Sequence, residues 1–277
     1  MSDTSSAMMV IDFHVHTFPE KIAARALETL SAKSRTSPYT DGTLSGLLHS
    51  MGEARISYAV LQPVATKPEQ VTRINDNAIA LNGTDKIFSF GAVHPDFCGV
   101  EGELSRLARA GIRGVKIHPV YQGVNIDDER YVKILACAGE LGLYVMIHAG
   151  YDIGFPGNDA ALPVRILRAM SEAGNFRVIL AHMGGWKCWR EARELFAGRE
   201  GLYVDTAFSS GNVAEGLLDG EEFVKMIHAF GAEHVLFGTD SPWASQSECV
   251  KEFASLPLND DEKKLILFGN ARKILVI

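Results

Sequence analysis

Eight short runs rich in Val, Ile, Leu and Phe recur along the chain, and the segments between most of them are amphipathic, with many alanines and charged residues. The runs are residues 9–16 (MVIDFHVH), 57–65 (SYAVLQPVA), 87–94 (IFSFGAVH), 112–118 (IRGVKIH), 143–149 (LYVMIHA), 177–182 (RVILAH), 202–208 (LYVDTAF) and 234–240 (HVLFGTD). A strand covered on both faces reads as a continuous apolar run, and parallel neighbours need a crossover between them that a helix supplies. Eight such units predict an α/β fold, a (β/α)8 TIM barrel in a single domain. Helices are predicted at 44–55, 70–83, 103–111, 129–142, 162–174, 189–198, 221–233 and 260–275, the last capped by Asn259 or Asp260. Several end on Gly, a common helix stop. The 277 residues suit one barrel of about 250. No repeat or composition break marks a second domain, so residues 1–7 are expected to be a flexible N-terminal tail and 8–277 the barrel.

Composition narrows the function classes. A net charge of -7, with no run of Lys and Arg interleaved with aromatics, argues against nucleic acid as a partner. No apolar stretch approaches the ~18 residues of a membrane helix, and the first residues lack the basic and apolar parts of a secretory signal. A membrane role is therefore not expected, and the cytoplasm is the expected location. The four cysteines, Cys98, Cys137, Cys188 and Cys249, are far apart and read as reduced thiols.

Polar residues fall where a buried strand should have none. The first run ends D-F-H-V-H, and strand alternation places Asp12, His14 and His16 on one side. The fifth run ends at His148, the sixth at His182 and the eighth at Asp240, while Lys116 and His118 share a face of the fourth. One strand-end histidine is ordinarily structural, but a barrel brings the carboxyl ends of its strands together at one mouth. Neutral imidazoles with a carboxylate are good ligands for zinc and similar ions. His94 ends the third run and is open to either a pocket or a capping role, whereas His49, His228 and His234 fall in helices or loops and carry no expected role. Trp186, Trp243, Tyr121 and Tyr151 follow strand ends and are candidate pocket walls.

In this order and spacing, IDFHVHTF (11–18), GVKIHPVYQG (114–123), VMIHAG (145–150), ILAHMGGW (179–186), VLFGTDSPW (235–243) and LFGNARKIL (267–275) resemble the amidohydrolase superfamily. The resemblance is to its amidohydrolase-2 branch, which includes decarboxylases related to aminocarboxymuconate semialdehyde decarboxylase. It covers nearly the whole chain. It implies one divalent metal ion, zinc first and manganese second, held by His14, His16 and His148, with Asp240 as ligand and proton carrier. It further implies that His182 orients water or polarises substrate. Asp12, Lys116 and His118 are expected as substrate-binding residues or as supports to the ligands. In binuclear members a strand-four lysine is carboxylated and bridges two metals, which leaves Lys116 open between that and a substrate contact.

The first expectation is a metal-dependent hydrolase that uses activated water on a small, carboxylated amide, lactone or ester. The alternative is a non-oxidative decarboxylase of a small carboxylic acid, with a non-catalytic small-molecule-binding barrel as a remote third. A TatD-like nuclease would need a Glu where this chain has K-I-H, and a serine hydrolase would need a G-x-S-x-G elbow that is missing. Lys21, Arg25, Lys33 and Arg35, in the stretch over the expected mouth, point to an anionic small-molecule substrate. Barrels of this size often pair, so a homo-oligomer is also an expectation.

Overall fold

Each apolar run yields a parallel strand in the computed structural model, which describes residues 8–211 and 214–277. The expected tail, residues 1–7, lies outside the described residues. The strands are Ile11–Val15, Tyr58–Leu61, a third in two pieces (Ile87–Ser89 and Gly91–Ala92), Gly114–Ile117, Tyr144–Ile147, Arg177–Leu180, Leu202–Asp205 and Val235–Leu236. The break at Phe90 divides the ladder into two sheets, the first through the first piece of the third strand and the second from its other piece to the eighth strand. Backbone hydrogen bonds join them. Phe90 N donates to Leu61 O at 2.9 Å, and the first and eighth strands meet through Phe13 N to Phe237 O at 2.8 Å and Asp240 N to His14 O at 2.8 Å. The ring is thereby closed and has no free edge.

The inner face carries Ile11, Phe13, Val60, Phe90, Met146, Ile179, Ala181 and Leu236, with Ala271, Ile274 and Leu275 of the C-terminal helix Asn270–Leu275 packed against one end. The outer faces of the strands, such as Val115, Ile117, Val145, Ile147, Val178 and Leu180, pack against Leu104, Leu107, Ile134, Leu135 and Ile166 of the surrounding helices. Lys116, His118, Met146 and His148 share the inward parity, which is how two apolar layers leave room for a polar mouth.

The helices follow the expected order, with additions that include a single turn at Pro119–Gln122. Residues 20–34 form a helix of their own, Glu20–Ser34, ahead of Leu44–Ala54. Gln246–Ser255, for which the polar SQSECVKEF pattern predicted nothing, is a helix capped by Ser245, whose hydroxyl accepts from Glu248 N. Its buried Phe253 meets Phe237 edge-on, so tertiary packing outweighs the weak local pattern. The final predicted helix, 260–275, runs as Asp260–Lys264, a π turn Leu265–Gly269 and Asn270–Leu275, and the Ile266 carbonyl accepts Phe237 N at 3.0 Å.

Two strand ends depart from regular geometry. Between Asp12 and Val15 the register slips, so Asp12 does not share the side of His14 and His16 as strict alternation predicts, while those two histidines meet each other. The eighth strand, expected to run to residue 240, keeps regular pairing only at Val235–Leu236. Gly238 lies so close to the first strand that a Cβ there would sit 2.9 Å from the His14 Cβ.

Candidate active site

His14 is the most constrained side chain at the mouth. Its Nδ1 lies 2.8 Å from Oδ2 of Asp205, at the end of the seventh strand, and both residues are buried. Oδ1 of Asp205 accepts the backbone N–H groups of His182 at 2.8 Å and Ala207 at 3.1 Å. An acceptor at Nδ1 keeps the proton there and leaves the Nε2 lone pair bare. That nitrogen faces His16 Nε2 at 3.1 Å and Asp240 Oδ1 at 3.5 Å, and His16 Nε2 is 3.1 Å from the same oxygen. Lys116 Nζ stands 3.5 Å from His14 Nε2.

Asp12 turns elsewhere. Its Oδ1 accepts Thr239 N at 3.0 Å and His14 N at 3.3 Å, while Oδ2 accepts Thr239 Oγ1 at 2.6 Å and Gln246 Nε2 at 2.7 Å. It ties the first and eighth strands to the helix Gln246–Ser255 and supports His14 through the backbone. Burial raises its carboxyl to about 6, against the pull of those hydrogen bonds.

His182 holds a left-handed backbone at φ 60°, and Asp240 does the same at φ 69°. Few residues other than Gly enter this region, His and Asp more readily than most, and here it sets the direction of two polar side chains at the mouth. His182 Nδ1 donates to Ala207 O at 2.9 Å, so its Nε2 is bare and faces His148 Nδ1 at 3.1 Å. The other nitrogen of His148 lies 3.1 Å from Tyr151 O, which can only accept. With both rings neutral, two lone pairs therefore oppose each other across 3.1 Å. Burial holds His14, His118 and His148 well below the ordinary imidazole value and brings His182 to about 4, so the rings are neutral at pH 7. Burial likewise pushes the Lys116 ammonium down and the Asp205 carboxyl up, while each one's charge opposes the other's shift.

This donor set fits a divalent ion. Ligand bonds of about 2.1 Å place neighbouring ligand atoms roughly 3.0–3.5 Å apart, and the contacts among His14 Nε2, His16 Nε2 and Asp240 Oδ1 are 3.1, 3.1 and 3.5 Å. Three such groups occur among the described residues: this one, His14 with His182 and Asp205, and His118 with His148 and Asp152. Of the ligands implied by the resemblance, the structure gathers His14, His16 and Asp240, whereas His148 faces His182 on one side and the Tyr151–Asp152 turn on the other.

His118 accepts Tyr121 N at Nδ1 across 3.4 Å and is sandwiched between Tyr121 and His148, with ring centroids 3.9 and 4.0 Å away. Sequence reasoning missed Asp205 and Asp152. Asp205 ends a strand as Asp240 does and was open to the same argument; Asp152 sits in a loop, where only the fold reveals it. His94 is buried and accepts Asp96 N at 3.1 Å, as a loop cap does. His49, His228 and His234 meet Glu53, Glu262 and the Phe230 carbonyl, away from the mouth residues. Trp186 is buried and bonds through its backbone to Ala149 and Tyr151. Among Lys21, Arg25, Lys33 and Arg35, all exposed, Lys33 lies over the Phe155 ring at 4.9 Å, against the loop that carries Asp152.

Comparison with known proteins agrees with this architecture. Among solved structures, an uncharacterised TIM-barrel protein from Bordetella bronchiseptica superposes with a TM-score of 0.78 at 20% identity, over 97% of this chain and 98% of that one. A dihydroxybenzoic acid decarboxylase from Polaromonas, with bound manganese and the inhibitor 2-nitroresorcinol, gives 0.70 at 16% identity over 96% of each chain. A putative 2-pyrone-4,6-dicarboxylic acid hydrolase from Pseudomonas putida gives 0.67 at 18% identity, over 97% and 98%. No curated protein matches. Among the described residues no helix is long and apolar enough to cross a membrane. The amidohydrolase family model, Amidohydro_2, matches residues 11–277, and the chain belongs to that family.

Proposed function

We propose that this family member is a metal-dependent hydrolase acting on a small, carboxylated amide, lactone or ester. The carrying observation is the convergence of His14 Nε2, His16 Nε2 and Asp240 Oδ1 within 3.1–3.5 Å, with His14 presenting a bare nitrogen. A divalent ion held there, zinc first and manganese second, supplies an acidified water and an electrophile for the carbonyl. The chain's own residues do the rest. Asp240 accepts a proton at Oδ2, the oxygen not turned to His14 and His16, and returns it to the leaving group. Asp205 fixes the His14 ring, and the bare Nε2 of His182 accepts a hydrogen bond from water and so orients it. Lys116, buried and cationic, offers a counter-charge to a substrate carboxylate.

A carboxylated substrate is further supported by the neighbours, one of which is named for a dicarboxylic acid and another for a dihydroxybenzoic acid. That second neighbour, with its manganese, also favours decarboxylation as a second reading, in which an acid at the mouth protonates carbon as carbon dioxide leaves. Asp152, raised to about 6 chiefly by burial, is a candidate for that acid.

The test is to strip the protein with a chelator, reload it with zinc or manganese, and offer 2-pyrone-4,6-dicarboxylate and 2,6-dihydroxybenzoate. Metal-restored loss of pyrone absorbance without carbon dioxide release supports hydrolysis. Carbon dioxide from the benzoate replaces it with the second reading, and metal-independent turnover of either compound contradicts both.

A further inference from the structure

We infer that Asp152 and His118 form a subsite for a hydroxyl group, and that the substrate therefore carries a hydroxyl as well as its carboxylate. This recognition rests on the proposed hydrolysis, in which Lys116 faces the carboxylate and Asp152 delivers no proton. Both side chains are more than nine-tenths buried, at 6% and 7% exposure. His118 Nδ1 accepts Tyr121 N, so the proton of the neutral ring sits on Nε2. Asp152 Oδ1 accepts Gly154 N at 2.8 Å, which turns Oδ2 toward the ring. Oδ2 and His118 Nε2 are 3.6 Å apart, too far for a direct hydrogen bond. A donor and an acceptor thus face each other unbonded, and an oxygen beside them reaches both at about 2.8 Å.

The group that fills this gap must accept from Nε2–H and donate to Oδ2. A hydroxyl does both. A carbonyl or an ether cannot donate, an ammonium cannot accept, and a second carboxylate is repelled by Asp152. His148 does not compete for the group, because its Nε2 lies 3.1 Å from Tyr151 O and donates there. The plane of His118 is held by Tyr121 and His148, stacked on its two faces at 3.9 and 4.0 Å. Phe155 abuts Tyr121 at 5.3 Å and lies under Lys33, which gives the subsite an aromatic side wall. The rings run His14, His182, His148, His118, each within 5.3 Å of the next. Two rings therefore separate the subsite from His14, and the hydroxyl and the bond that reacts belong to different parts of the substrate. A buried pair of this kind rejects a ligand that lacks the hydroxyl, because both polar atoms are then left unpaired.

Calorimetric titration of the zinc-loaded protein with phenylacetate and its 3- and 4-hydroxy and 3- and 4-fluoro derivatives tests the subsite, in the wild type and in Asp152→Ala and His118→Phe. Fluorine is close to a hydroxyl in size but donates nothing, and Phe keeps the stack while removing Nε2–H. One hydroxy isomer should bind the wild type about 10–100-fold more tightly than phenylacetate or its fluoro counterpart, the worth of hydrogen bonding to a charged group. In both variants that ratio should fall to about one. Equal binding of hydroxy and fluoro ligands by the wild type, or a hydroxyl preference that survives in both variants, overturns the subsite and leaves the proposed function standing. No binding of any hydroxy ligand to the wild type also overturns it. The 3- and 4-methylphenols, which lack the carboxylate, keep the two readings apart. If one binds as tightly as the matching hydroxyphenylacetate and is lost in the variants, the subsite stands and the carboxylate contact of the proposed function falls. Should a variant fail to fold by far-UV circular dichroism, the wild-type comparison of hydroxy with fluoro ligands decides.

Discussion

Asp205 acts on His14 through a single contact, and its contribution is separable from chemistry. Asp205→Asn presents an amide where His14 Nδ1–H needs an acceptor, which frees the ring to place its proton on Nε2. Supports of this kind are worth about 10–100-fold in metal affinity, and a competition titration should show zinc binding weakened by that factor with the fold kept. His14→Ala and Asp240→Asn should lower kcat/KM by at least about 10³-fold, within the range of losses for groups that act on the reacting atoms, with unchanged far-UV circular dichroism. Asp12 belongs to the scaffold instead. Asp12→Ala strands Thr239 N and Gln246 Nε2, and urea unfolding should show a loss of about 3 kcal/mol. Asp12→Asn should cost less, because Gln246 has an unpaired Oε1 to turn toward the new amide. With a native carboxyl near 6 and an unfolded value of 3.8, the folded protein binds the extra proton. Wild-type stability relative to Asp12→Asn should therefore be greatest below pH 4 and fall as pH rises through 6.

The loops after the fifth and sixth strands act as one element. Gly150 N donates to Ala161 O at 2.7 Å, Trp186 N to Ala149 O at 2.8 Å and Tyr151 N to Trp186 O at 3.0 Å. Gly150 has φ 86°, and a Cβ there would collide with the Trp186 backbone. Gly150→Ala should cost at least about 2 kcal/mol in denaturant unfolding and should lower activity by displacing Tyr151 and Asp152. These elements also divide what the sequence makes legible from what it hides. Strand ends were readable because a His or Asp after an apolar run conflicts with burial unless it has a purpose, and His14, His16, His148, His182 and Asp240 all stood out on that ground. The slip at Asp12 was not readable, because strict alternation carries no sign of a bulge. Asp152 was hidden for another reason: a loop acid becomes a mouth residue only once Lys33, Gly154 and His118 are placed around it. The helix Gln246–Ser255 owes its place to Phe253 and Phe237, a contact no local pattern contains.

At the scale of the whole molecule, the eight runs were enough to specify a closed barrel. The apolar strands and helices form a core that does not depend on the mouth residues, which are free to be neutral imidazoles and strained backbones. Removal of bound metal by a chelator should therefore lower Tm by several degrees, the linkage expected of a ligand that binds only the folded state, while circular dichroism retains the barrel. Complete unfolding on chelation would show that the ion is structural. The most direct test of the central claim is an anomalous-difference map from crystals grown with zinc and recorded at the zinc edge. The account predicts a peak in contact with His14 Nε2, His16 Nε2 and Asp240 Oδ1. Well-ordered side chains at those three positions with no peak between them, at saturating zinc, would contradict it.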